Sequence, residues 1–260
     1  MTPISRRLLV TILAALLLVG CGQPKLADPR QIITDSLAAM SEVDSFHALL
    51  SVDGEISLTG RASMRVSDAT LEGDFDISRR QAQMTFALPS LLGLVGELRL
   101  LNEVGFAKTS LTGSDWVRFP LEDKPAPTAS ASPAVSAAQF EELLNDGTIS
   151  LQMNDDARCG DADCYSIDVT IANEAVPDNG ALPSGLPFTE DFVVTLLIHQ
   201  DSLLVAGASM ELDMGTSGQL SLTATLSDYG VEVNVVEPDP SEVTDQFTGP
   251  AFPLDFPSLP

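Results

Sequence analysis

The chain is poor in aromatic residues, in positive charge, in histidine and in cysteine. Aromatics make up 5% of its 260 residues, with one Trp, two Tyr and eleven Phe. An interior built with so few has to be aliphatic and Met-containing, and such interiors adapt to what they enclose. Only 13 Lys+Arg stand against 37 Asp+Glu, a net charge of −24. A surface of that sign repels nucleic acid and anionic headgroups at long range, which excludes nucleic acid as a partner. The two histidines, His47 and His199, each lie in a strand-like segment. No Gly-x-Ser-x-Gly, His-Glu-x-x-His, P-loop or Gly-x-Gly-x-x-Gly pattern occurs. The carboxylates fall mostly on wet faces and in turns, where they read as solvated charge. The expectation is a protein that is not an enzyme, with no catalytic residue, no cofactor and no metal.

Long apolar runs are also missing, apart from one at the start. Arg6 and Arg7 precede an apolar stretch over residues 8–19 in which Thr11 is the one polar residue. The stretch is too short for a comfortable transmembrane helix, which needs about 20 residues. Charged start, short apolar core and a small residue before polar sequence describe a secretory signal peptide. The tetrapeptide Leu18-Val19-Gly20-Cys21 resembles the lipobox of bacterial lipoprotein signal peptides. That resemblance implies cleavage before Cys21, with a diacylglycerol on its thiol. Residues 1–20 then form the leader and 21–28 a lipidated tether. Without the leader, 11 Lys+Arg face 37 Asp+Glu, a net charge of −26. The expected location is the extracytoplasmic face of the cell membrane, with the bilayer as one partner.

Three cysteines are present, and an odd cysteine in an exported protein asks for an explanation. If Cys21 carries lipid, Cys159 and Cys164 remain. They flank a Gly-Asp-Ala-Asp turn, and a disulfide is the default in an oxidising compartment. Their spacing matches neither a zinc motif nor a calcium loop.

Residues 29–43 carry apolar positions at helical spacing, with Asp28 placed to cap and Pro29 suited to the first turn. From residue 44 the period changes to 2. Segments FHALLSVDG, EISLTGRASMRV, TLEGDFDIS and QAQMTFAL alternate apolar and polar residues, the mark of an antiparallel meander with one wet face. Asp53-Gly54 and Ser78-Arg79 suit hairpin links. The run SLLGLVG is either a buried bend or a greasy loop at a cavity mouth or against the membrane. GFAKTS and DWVRFPL add two short strands. Residues 124–138 are a Pro/Ala/Ser-rich flexible insertion. A second short helix covers 136–145, with Ser136 and Gln139 in a capping-box pattern. About five strands follow, from TISLQMND to QLSLTATLSDYG, and VEVNVV adds Val231, Val233 and Val235. Residues 238–260 are a proline-rich acidic tail, expected to be disordered or loosely draped. The folded domain is read as 29–237.

The stretches AAMSEVDSFHALLSVDGEI, GFAKTSLTGSDWVRF and TLSDYGVEVNVVEP together resemble the LppX/LprAFG lipoproteins, relatives of the LolA and LolB carriers. The resemblance is one of pattern over roughly residues 29–240. It implies a mainly β, α+β fold: an unclosed antiparallel half-barrel of about eleven strands with two short helices over the concave face. It also implies a hydrophobic cavity that holds a membrane lipid or lipoglycan. Alternation places Phe75, Ile77, Met84, Phe86, Leu98, Leu100, Ile167, Val169, Leu196, Ile198, Leu222 and Leu226 on the inward face, as the expected lipid contacts of a monomer. A second reading stays open: a core filled by side chains, in a surface or envelope lipoprotein that binds a protein partner.

Overall fold

The computed structural model describes residues 26–57, 63–90, 93–102, 104–121, 137–172 and 191–244. The leader, Cys21, most of the 124–138 insertion and residues 245–260 lie outside these, as does Ser136 of the expected capping box. Helix α1 spans Pro29–Ser41. The Asp28 side chain accepts from the Arg30 N–H at 2.9 Å and Pro29 occupies the first turn, so the helix begins where its capping chemistry predicts. Strands β1 (Ser45–Ser57), β2 (Ser63–Asp76), β3 (Gln81–Leu88), β4 (Leu94–Leu101), β5 (Val104–Thr109) and β6 (Trp116–Pro120) follow. Helix α2 spans Ala137–Asn145. Then come β7 (Ile149–Met153), β8 (Ala157–Cys159), β9 (Ala162–Ile171), β10 (Phe192–His199), β11 (Val205–Asp213), β12 (Gly218–Ser227) and the two-residue β13 (Val243–Thr244).

These thirteen strands form one mostly antiparallel sheet in the order β13-β6-β5-β4-β3-β2-β1-β12-β11-β10-β9-β7, with β8 also on β9. The sheet does not close, and the fold is the mainly β half-barrel with two short helices. Strands β1 and β12 join the two runs of sequence across its middle. The count exceeds the expected eleven among the described residues because β8 and β13 are too short to alternate.

Three expectations change. Asp53-Gly54 is not a hairpin link but a bulge inside β1, where the register with β2 shifts between Val52 and Gly54. The Asp53 carboxylate accepts the Asp68 N–H at 2.9 Å, which fixes the irregularity that looks like a turn in sequence. VEVNVV is not a strand. β12 ends at Ser227, Asp228 and Gly230 take φ values of 50° and 76°, and the chain leaves the sheet. The start of the tail is ordered: residues 240–242 form a short 3₁₀ turn, and β13 pairs in parallel with β6.

Residues 228–244 form a strap across the outer face of β1–β6. Ser45 holds its beginning: the Gly230 N–H donates to the Ser45 carbonyl at 2.9 Å, and Ser45 Oγ donates to the Val231 carbonyl at 2.6 Å. Further along, Arg99 Nη1 donates to the Val236 carbonyl at 2.9 Å, while its guanidinium lies 4.4 Å over the Trp116 ring. Val233, Val235, Phe106 and Trp116 are buried. The period-2 pattern of Val231, Val233 and Val235 thus reflects an extended chain packed on the sheet, with Val233 and Val235 inward and Val231 exposed.

The chain's one tryptophan, Trp116, is buried on β6 beneath the Arg99 guanidinium that clasps the strap. Trp116→Ala is expected to lower unfolding free energy by about 3–5 kcal/mol, the usual cost of removing a buried aromatic; a urea titration showing under 1 kcal/mol would refute this role for the strap. On the same face His47 Nδ1 lies 2.8 Å from Asp74 Oδ1 and Nε2 3.5 Å from Glu72. The Asp74 hydrogen bond, with the charges of Asp74, Glu72 and Asp228, raises its pKa above the ordinary 6.5, partly offset by burial. A raised folded-state pKa contributes stability that is present below about pH 6.5 and lost as pH rises through the folded value. The stability advantage of wild type over His47→Gln should therefore shrink from pH 6 to pH 8, and a pH-independent difference in urea midpoint would contradict it.

Candidate functional site

Cross-strand partners point to the same face, so the registers divide the sheet into an inner and an outer side. One inner row runs Ala48, Gly73, Met84, Leu98, Ala107, Val117 across β1–β6. The matching outer row is His47, Asp74, Gln83, Arg99, Phe106, Arg118. The inner side is apolar from β7 to β6 because every strand alternates in phase.

The inner face is covered unevenly. Over β7, β9 and β10 the two helices close it: Ile32 and Ile33 of α1 and Phe140 of α2 pack on Tyr165, Ile167, Val169 and Ile198. The Tyr165 hydroxyl accepts the Leu26 N–H at 3.0 Å, which ties the start of the domain to the same place. A second cluster gathers Ala82, Met84, Leu98, Leu100 and Ala107, bordered by Leu71, Phe75, Phe86, Phe119 and Leu121, and no helical residue belongs to it. Between the clusters, Ala48, Leu50, Leu222, Ala224 and Leu226 on β1 and β12 are half-buried and belong to neither. Lengths explain the imbalance. Thirteen and nine helical residues span about 20 and 14 Å, whereas twelve strands side by side extend about 50 Å around the curve.

The expected contact residues separate accordingly. Phe75, Met84, Phe86, Leu98 and Leu100 come together in the helix-free cluster, and Leu222 and Leu226 lie on the half-buried strip beside it. Ile167, Val169 and Ile198 are instead 0%, 8% and 0% exposed beneath the helices, with Leu196 at their margin. They are the seat of α1 and α2. Ile77 departs altogether. It follows the last residue of β2, its carbonyl accepts the Arg80 N–H in the turn, and its side chain is 58% exposed. The phase of alternation continues past Asp76, but the strand does not.

Phe46 and Phe119 were not among the expected contacts. The Phe46 ring stacks on Phe75 with centroids 5.1 Å apart, and Tyr229 packs beside it at 6.5 Å. Tyr229 donates its hydroxyl to the Val205 carbonyl, and burial pushes its pKa up to about 12, so it stays a donor across physiological pH. Alternation within FHALL and WVRFP points to both phenylalanines, but only cross-strand register shows which cluster they join.

Cys159 and Cys164 form a disulfide across the β8–β9 hairpin, with Cα atoms 6.0 Å apart. Cys164 is buried, 3.6 Å from His199 Nδ1. A cavity of about 110 Å³ lies at the start of the strap, lined by Phe46, Asp74, Gln83, Asp228, Val231, Glu232, Val233 and Asn234. Among the described residues no group of three His, Cys, Asp or Glu is arranged to hold a metal ion.

No protein-family model and no curated protein sequence matches the chain. Solved structures that resemble it over most of its length include two mycobacterial lipoproteins. The lipoprotein LppX of Mycobacterium tuberculosis is 22% identical, with 81% of this chain and 100% of that one covered at a TM-score of 0.53. LprF of Mycobacterium bovis is 17% identical, with 80% and 96% covered at the same TM-score of 0.53. The fold implied by the sequence resemblance is therefore the fold the chain has: an LppX- and LprF-like half-barrel.

Proposed function

We propose that the protein is a lipid-anchored, extracytoplasmic lipid-binding protein. It takes the apolar part of a membrane lipid or lipoglycan onto the inner face of β1–β6 and β12, and carries or presents it there. One observation supports this most: the apolar inner face continues beyond the two helices, where Leu71, Phe75, Phe86 and Phe119 beside the second cluster and Leu50, Leu222 and Leu226 on the strip stay half-buried with no helical residue in that cluster. Half-buried apolar side chains along one face favour an apolar ligand there. Each methylene that moves from water onto it contributes roughly 0.8 kcal/mol, so one chain suffices for useful affinity without a polar motif. The lipobox supplies the anchor, and the bilayer it reaches supplies the nearest such chains. LppX, which shares the fold, is itself described as a lipoprotein. Binding and transfer of this kind need no catalytic residue.

The purified protein is expected to release lipid into organic solvent, identifiable by mass spectrometry, and to take up added lipid. Phe86→Asp should reduce co-purified lipid several-fold without unfolding the domain. A wild-type protein that is empty and takes up nothing would end the carrier reading. Cys21→Ser should move the protein from the membrane fraction to the soluble one; unchanged membrane retention would overturn the anchor.

A further inference from the structure

The turn between β2 and β3 is unusual in a chain of net charge −24. Its four residues, Ile77, Ser78, Arg79 and Arg80, are all exposed, and none is acidic. The buried Asp76 carboxylate fixes the turn from within. It accepts the Arg79 N–H at 2.7 Å and the Ser78 hydroxyl at 2.8 Å. The Arg79 guanidinium lies 3.6 Å from Asp76 and 4.0 Å from Glu232, so its charge is matched inside the protein. The Arg80 guanidinium has no ion-pair or hydrogen-bond partner among the described residues. Yet Arg80 holds a φ of 53°, a left-handed conformation that suits Gly or Asn and strains an arginine. A cation kept where the backbone disfavours it, with nothing in the protein to bind, is available to a group outside the protein.

The turn lies at the end of the sheet where the chain enters the domain. The Leu26 N–H donates to the Tyr165 hydroxyl, Tyr165 pairs with Ile198, and Ile198 pairs with Val205. The Val205 carbonyl accepts the Tyr229 hydroxyl, the Gly230 N–H donates to Ser45, and Ser45 pairs with Asp76, the residue before the turn. Cys21 stands five residues before Leu26, at most about 18 Å of extended chain. A lipid on Cys21 therefore keeps this end of the strands within reach of the bilayer surface. We propose that the Ile77–Arg80 turn is the foot by which the domain stands on that surface: Arg80 donates to the phosphate of an anionic phospholipid headgroup, and Ile77 enters the boundary beneath it. This rests on the lipid-anchor reading above. The acidic body is repelled by such a surface at long range, so contact is confined to a patch of opposite sign. Asp44, whose carbonyl accepts the Ile77 N–H, and Glu232 border the turn and limit that patch to its tip.

The test uses the full mature chain, purified from membranes and reconstituted on vesicles of phosphatidylcholine alone or with about a third phosphatidylglycerol. Ile77→Trp places an indole on the turn, and brominated acyl chains quench it when it reaches the boundary; Trp116 is buried and adds a constant background. Quenching should be strong on the phosphatidylglycerol vesicles and weak on phosphatidylcholine. Adding Arg80→Asn should lower the ratio of docked to undocked protein about fivefold, the effect of one cationic side chain near an anionic surface. Asn suits the left-handed backbone, so the urea midpoint of Arg80→Asn should equal or exceed that of its parent. Lost quenching with an intact fold then reports a lost headgroup contact. In the wild type, phosphatidylglycerol vesicles should slow tryptic cleavage after Arg80 several-fold relative to phosphatidylcholine, which decides the matter if Ile77→Trp does not fold. Equal quenching or equal cleavage on both vesicle types, in protein that floats with the vesicles, overturns the foot and leaves the anchor standing. A wild-type chain that does not float with either vesicle removes both.

Discussion

An apolar sheet face that does not close on itself has to be covered by something else, and most of this structure answers to that constraint. Strand-to-strand hydrogen bonding satisfies the backbone along the sheet whether or not it closes. It does nothing for the side chains of one face. In a closed barrel those side chains meet each other across the interior. Here β7 and β6 lie at or next to opposite margins of the sheet, so covering falls to α1 and α2. They suffice for β7, β9 and β10, where Ile32, Ile33 and Phe140 build a filled core. That part of the molecule is a core built between helices and sheet, while the other gathers its buried residues without any helical member.

The outer face is managed differently. Its polar residues mostly meet water, but Phe106 and Trp116 are buried, Trp116 under the Arg99 guanidinium that also holds the strap. The strap brings Val233 and Val235 as apolar cover, and Arg99 of β4 clasps it by donating to the Val236 carbonyl while stacking on Trp116. A chain with one tryptophan spends it here, away from the inner face.

Legibility differed by feature, for physical reasons. The capping of α1 was readable because Asp28 and Pro29 act locally. The phase of alternation was readable because a strand's side chains repeat every two residues whatever lies beside it. The same local logic misread Asp53-Gly54, since a turn and a bulge use the same residue types, and only the partner strand tells them apart. It misread VEVNVV for a related reason: any extended chain packed on a surface alternates, whether or not it hydrogen-bonds to a sheet. Ile77 failed because phase says which way a side chain would point, not where the strand stops. The division of the expected inward residues among the helix-covered core, the second cluster and the strip between them was not readable at all, because it depends on where α1 and α2 come to rest.

The sequence by itself determined the class of the fold, the continuous apolar face and the disulfide partners, because each follows from local periodicity or from counting residues. Its Leu-Val-Gly-Cys carries the anchor reading in the same local way. Only the tertiary structure decided which part of that face the helices cover. It also decided that the last strand-like segment is a strap, and that Phe86 and Phe119 join the second cluster. Each of these depends on contacts between residues far apart in the chain, and no local pattern encodes which distant residue fills a given space.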